Sequence, residues 1–207
     1  MAVFLVFLAL GDFLGLGALE YPARVAVLAG VIWFFSRHVL DLRMPYWTGS
    51  ILLGLAVFVV WVAPDALFPG YRSHWLFQNS LTGRVASSVA EPLRSDPMVL
   101  IFRAIRASII VPIVEELFWR GWLMRWLIKN DFLSVPLGTY ARDAFWIAAA
   151  LFALEHGPYW EVGLVAGAAY NWWMVRTKSL GDCILAHAVT NAVLSAYTVF
   201  GGHWRYW

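Results

Sequence analysis

One cysteine, Cys183, is all the chain carries in 207 residues, so no disulfide within it can brace the fold. Charge is scarce as well. Only 14% of the residues are Asp, Glu, Lys or Arg, against about 25% in soluble domains, which excludes an ordinary soluble globule. The net charge of +2 comes from basic residues that are scattered rather than clustered, so nucleic acid is not an expected partner. There is no long-period repeat, no low-complexity tract and no pair of related halves of the kind many transporters show.

What is present is apolar. The chain is 61% hydrophobic and holds 13 Trp and 8 Tyr, a composition that fits a multi-pass membrane protein with aromatic belts at both interfaces. The expectation is an all-α, polytopic helical bundle of about seven transmembrane helices, forming one membrane domain over residues 1–207. Apolar runs at 3–19, 24–35 (extended to 42 to reach about 20 residues) and 47–63 supply the first three spans. The first has no basic segment before it and no clear cleavage site, so it reads as a span rather than a removed signal peptide. Lys and Arg placement favours a cytoplasmic N-terminus.

Residues 64–97 break this pattern with Pro64, Pro69, Gly70, Gly83, Pro92 and Pro97. They predict a long polar loop, with a surface helix near 74–81. Residues 98–200 hold the remaining helices. The fourth runs from 98 to about 129, with a kink or fresh start at Pro112. The fifth runs from 141 to 156, where Gly157-Pro158 stops it. The sixth, 160–175, carries Gly163 and Gly167, whose small size lets helices approach closely. The seventh begins at Asp182 as N-cap and ends near Phe200.

Inside the fourth apolar helix lies Glu115-Glu116-Leu117-Phe118-Trp119-Arg120. Three ionisable side chains facing lipid at mid-bilayer would cost roughly 9 kcal/mol together. They must therefore face protein or a wet cavity, and such a cluster points to a functional site. The two glutamates are about 100° apart and cannot share a face. Glu116 and Arg120, at i and i+4, are placed to form an ion pair. Glu115 is left without a local counter-charge, which suits a general base. Phe152 and His156 share a face on the fifth helix, and His187 and Asn191 repeat the spacing on the seventh. Two donors a turn apart can converge on one carbonyl oxygen. Glu155, one residue before His156, should point elsewhere, toward the interface.

Taken in order on successive helices, Glu-Glu-x-x-x-Arg, Phe-x-x-x-His and His-x-x-x-Asn resemble the CAAX prenyl endopeptidase and bacteriocin-processing family of intramembrane proteases. The resemblance covers residues 98–200. It implies that Glu115 and His156 activate a water, that His187 and Asn191 form an oxyanion hole, and that Glu116, Arg120 and Phe152 support them. It also implies hydrolysis without a cofactor or metal, acting on a protein or peptide substrate that enters from the lipid bilayer. Segments 115–126, 156–161 and 170–191 resemble the bacterial branch associated with exosortase systems. That implies a bacterial inner membrane and exosortase-system proteins as partners.

Three rivals are open at this point. A zinc protease could use the same His and Glu residues, although no His-Glu-x-x-His is present and Asn191 is a poor zinc ligand. A thiol mechanism could pair Cys183 with His187, four residues on. A non-enzymatic assembly or transport component could use the cluster to handle protons.

Overall fold

The structure, a computed structural model, describes residues 17–207. The expected first span, apart from its last three residues, lies outside the described residues. Among the described residues the chain is built of helices and turns, with no strand. Six helices carry the architecture: α1 Gly17–Ser36, α2 Trp47–Leu67, α3 Pro97–Trp126, α4 Arg142–Glu155, α5 Trp160–Thr177 and α6 Leu180–Gly201.

Helices α1, α2, α3 and α6 are long and apolar enough to cross a membrane. Four spans therefore meet that criterion among the described residues, where about seven were expected from the whole chain. The other two expected helices are present but differ from ideal spans. At 14 residues, α4 extends about 21 Å, short of the roughly 30 Å hydrocarbon layer. In α5, Glu161, Asn171 and Arg176 interrupt the apolar residues.

Helix α3 is continuous through Pro112, where the sequence predicts a kink or fresh start. Asp96 caps it, accepting from the Met98 N–H at 2.9 Å, and Pro97 occupies the first turn. Proline costs an α-helix one hydrogen bond and clashes with the preceding turn. Here the turn before it widens instead. Arg106–Ile110 is wound as π-helix, and the Val111 N–H reaches back to the Arg106 carbonyl. A second π-type stretch, Leu117–Leu123, follows the two glutamates.

Asp182 does not cap α6. Ser179 does, accepting from the Asp182 N–H at 3.1 Å. The fully buried Asp182 carboxylate turns to another helix. It accepts from the Tyr46 N–H at 3.1 Å and the Ser50 hydroxyl at 2.9 Å, so it neutralises the N-terminal end of α2 from across the bundle. The two helices then run in close contact. A Cβ on Gly54 would lie 2.4 Å from the Ala186 carbonyl oxygen, so only glycine permits this approach. The small residues of α5 serve as the sequence predicts. A Cβ on Gly167 would sit 3.1 Å from the Phe152 ring and 3.2 Å from Ala149, which brings α4 and α5 together.

The loop starts later than expected, because α2 runs through Pro64 to Leu67. No helix forms over 74–81. The Asn79 side chain accepts from the Leu81 and Thr82 N–H groups at 2.8 and 3.1 Å, and such local bonds compete with helical ones. Arg72 anchors the loop instead. Its guanidinium bonds Asp65 at 3.0 Å, the Pro158 carbonyl at 2.6 Å and Glu161 at 2.9 Å, and lies 4.2 Å from the Tyr159 ring centre. Burial opposes its charge, but the Glu161 and Asp65 carboxylates outweigh that and hold Arg72 above the usual arginine value. The loop is thereby pinned to the α4–α5 turn, next to His156.

Candidate active site

The two glutamates of α3 sit one residue apart and in different surroundings. Glu116 is fully buried, and one of its oxygens accepts from Arg120 Nη1 at 3.0 Å and from His187 Nδ1 at 2.9 Å. The expected i, i+4 ion pair is therefore present. The bond to His187 was not foreseen, because it crosses to a helix 71 residues further along the chain.

Arg120 extends this network. Its Nε donates to Asn171 Oδ1 at 2.9 Å and its Nη2 to the Gly167 carbonyl at 3.1 Å. Asn171 in turn donates to the Phe145 carbonyl of α4 at 2.7 Å. The guanidinium carbon stands 4.9 Å from the Phe152 ring centre and 5.5 Å from that of Tyr170. Four helices thus meet at one buried cation whose donors are spread over three acceptors. The geometry meets the condition for a tolerable buried charge, which is pairing together with full hydrogen bonding.

His187 is clamped on two sides. Its Nδ1 bears the proton given to the Glu116 carboxylate, and its ring stacks on Tyr170 with centres 5.1 Å apart and planes 19° apart. The Tyr170 hydroxyl donates to Thr190 Oγ1 at 2.7 Å, which donates onward to the Gly54 carbonyl of α2 at 2.9 Å. Only Nε2 of His187 is left for other work. His156 is held in a comparable way. Its Nδ1 donates to the Phe152 carbonyl at 2.7 Å, while Phe152 and Trp61 pack on its ring at 4.5 and 5.1 Å. Both histidines therefore carry the proton on Nδ1 and present Nε2.

Asn191 donates through Nδ2 to the Ala107 carbonyl at 2.9 Å. That carbonyl is free for a local reason. In the widened turn its i+4 donor, Val111, is spent on Arg106, and its i+5 donor would be Pro112, which has no N–H. The proline thus supplies the acceptor that fixes the Asn191 amide. The second Nδ2 hydrogen is not used by this bond.

Glu115, His156, His187 and Asn191, drawn from α3, α6 and the C-terminal end of α4, all line one cavity of about 670 Å³. Glu115 is only 6% exposed, and its Oε2 finds no hydrogen-bond partner among the described residues. A buried carboxylate oxygen in that state is an acceptor for water or substrate. Glu116 does not line the cavity. Its second oxygen is also unpartnered among the described residues, but it is enclosed. Glu155 departs from expectation. It is exposed, yet it lines the same cavity as His156 instead of pointing away from it.

Cys183 is buried and does not line the cavity; its thiol lies 3.8 Å from the Tyr170 carbonyl, while Nδ1 of His187 is bonded to Glu116. Among the described residues, no three His, Cys, Asp or Glu side chains converge as a metal-binding group.

Sequence reading missed Trp61, Tyr170, Asn171 and Thr190. Asn171 could have been found, since it is a polar residue inside an apolar helix, four residues after Gly167. Trp61 could not, because nothing in an apolar run marks which tryptophan meets a histidine.

No curated protein and no solved structure matches the chain. Residues 97–193 do match a family model, that of the type II CAAX prenyl endopeptidases described as Rce1-like. The matched stretch takes in α3, α4, α5 and most of α6, and with them every residue of the expected site. Over this helical core, just under half of the chain, the protein is similar to the Rce1-like type II CAAX prenyl endopeptidase family, and together with the membrane-spanning helices this supports a membrane protein of the protease class.

Proposed function

We propose that the chain is an intramembrane endopeptidase in which Glu115 and His156 activate a water molecule while His187 and Asn191 hold the oxyanion. The observation that carries this is the common cavity, lined by all four residues and holding the unpartnered Glu115 oxygen. Glu115 takes a proton from water, with His156 Nε2 as a second acceptor. The hydroxide attacks the peptide carbonyl carbon, and the carbonyl electrons move onto oxygen. That oxygen is met by the free Asn191 Nδ2–H and by His187 Nε2–H of the imidazolium form, which Glu116 balances through Nδ1. Collapse breaks the C–N bond, and the proton held by the base passes to the leaving amine. Water is the nucleophile, so no acyl-enzyme forms, and the scheme uses no metal.

The substrate in this reading is the C-terminal region of another protein, brought into the bundle from the bilayer. The resemblance of residues 115–126, 156–161 and 170–191 to the exosortase-associated branch supports a bacterial cytoplasmic membrane and partners from that system. Mass spectrometry of peptides released in membranes by wild-type but not Glu115→Gln protein tests the proposal. Activity should also survive stripping of zinc with a chelator. One tightly held zinc per chain, lost together with activity, would replace this scheme with a metalloprotease.

A further inference from the structure

The two cavity histidines differ in what holds them. His187 lies inside α6, with helix before and after it. His156 lies one residue past the end of α4, with φ −91° and ψ 6°. Helix ends open most readily, so the direction of the His156 ring depends on the turn that follows. That turn, Gly157–Tyr159, opens with Gly157 at φ +53° and leads directly into α5.

Residues 72–82 hold this turn from outside. Arg72 Nη1 donates to the Pro158 carbonyl at 2.6 Å, and its two amino groups stand 2.9 and 2.7 Å from the two Glu161 oxygens. The Trp160 indole N–H donates to the Leu76 carbonyl at 3.2 Å. A Cβ on Gly157 would lie 2.7 Å from the Thr82 carbonyl oxygen, so the loop backbone rests directly on the residue after His156. The path also returns to the site through rings. The Arg72 guanidinium covers Tyr159, Tyr159 stacks on Trp61 with centres 6.1 Å apart, and Trp61 meets the His156 ring edge to face at 5.1 Å.

Arg72 is itself fixed at its far side. It is 5% exposed, and its Nε donates at 3.0 Å to Asp65 near the end of α2, which also accepts from the Tyr206 hydroxyl at 3.1 Å. A buried guanidinium fork shared by α2, the turn and the start of α5 is far stiffer than a surface ion pair. The hydrolytic scheme gives it no task, and it lies outside the stretch 97–193 that resembles the family.

We infer that Arg72 is a positioning residue for His156: it locks the Gly157–Tyr159 turn so that the imidazole keeps Nδ1 on the Phe152 carbonyl and Nε2 toward the cavity. This rests on the proteolytic reading for the reaction, but not for the hold on the ring. His187 needs no such strut, because Glu116 and Tyr170 clamp it from within the bundle.

Nuclear magnetic resonance of the detergent-solubilised full chain with ¹⁵N-labelled histidine tests this, with His156→Gln and His187→Gln assigning the two signals. In wild type both rings should show a single tautomer with the proton on Nδ1. Arg72→Gln should move the His156 nitrogens toward the averaged values of a free imidazole and leave those of His187 unchanged. Peptide release from membranes should fall tenfold to 10²-fold, the scale of a displacement of about 1 Å. If Arg72→Gln does not fold, Glu161→Gln gives the same reading, since Asp65 still balances the arginine. Unchanged His156 nitrogens would overturn the inference. Equal movement of both histidines would also overturn it, as a general loosening of the bundle, and so would full release beside a displaced His156. A His156 signal that responds to Arg72→Gln in a chain that releases no peptide would defeat the proteolytic reading and leave the strut standing.

Discussion

Glu115 and Glu116 are neighbours in sequence and opposites in circumstance. Glu116 sits inside a closed network, tied to Arg120 and His187 by one oxygen. Glu115 faces the cavity with an unpartnered oxygen. The 100° step between consecutive helical residues divides the pair. One carboxylate is turned into the protein, where it orients a histidine and balances a cation, and the other toward the cavity. The comparison shows how a membrane helix can carry three ionisable groups. Two of them neutralise each other, and the third faces the cavity.

The sharpest way to break this comparison is to remove each charge with little change in shape. Glu115→Gln should fold with unchanged thermal stability and lose about 10²–10⁴ in turnover, the range expected of a general base. Glu116→Gln should act first on the fold. It leaves the fully buried Arg120 without its carboxylate, a change that typically costs about 3–5 kcal/mol. Melting of the detergent-solubilised variants, read beside peptide release, separates the two. Equal catalytic loss with equal melting in both would show that the division between them is wrong.

This division was legible in the sequence as far as helical periodicity carries. The i, i+4 spacing of Glu116 and Arg120, and the angular offset of Glu115, follow from residue numbers alone. So do the small-residue seam of α5 and the stop at Gly157-Pro158. What periodicity cannot supply is contact between distant segments. The His187–Glu116 bond, the Asn171 arm of Arg120 and the Asp182 carboxylate at the N-terminal end of α2 all join residues from different helices. Asp182 illustrates the ambiguity well. A short acidic residue at a helix start reads as a cap, but Ser179 three residues earlier takes that place and releases the carboxylate for another helix. The count of about seven spans is not confirmed, because four helices among the described residues are long and apolar enough to cross a membrane. Two of the helices that build the site fall outside those four for reasons of length and polarity, since α4 has only 14 residues and α5 carries Glu161, Asn171 and Arg176.

The oxyanion side of the cavity gives the next largest effect. Asn191→Ala should lower turnover by about 10²–10³, with much less change in KM, because its contact matures only as charge develops on the carbonyl oxygen. Cys183→Ser, two turns earlier on α6, should stay close to wild type. It is buried, does not line the cavity and serves as the control for packing damage. Unchanged turnover in Asn191→Ala would remove the amide from the scheme. A dead Cys183→Ser beside an active Glu115→Gln would move the chemistry to the thiol.

The smallest effect belongs to Pro112, which touches no reacting atom in this scheme. It acts by denying the Ala107 carbonyl a backbone partner, so that the Asn191 amide takes that place. Pro112→Ala restores an N–H one π-turn after Ala107, and this donor competes for the same oxygen. The helix itself should be no less stable, since alanine removes the steric conflict and adds a backbone bond. The amide, however, would lose the contact that fixes its rotamer. One neutral hydrogen bond contributes about 1 kcal/mol, so turnover should fall about fivefold while KM holds. Combined with Asn191→Ala, the proline change should then cost almost nothing further, because the group it positions is gone. That lack of additivity distinguishes positioning from a general effect on the helix. A full fivefold loss from Pro112→Ala in the Asn191→Ala background would mean that the proline shapes α3 around Glu115 instead.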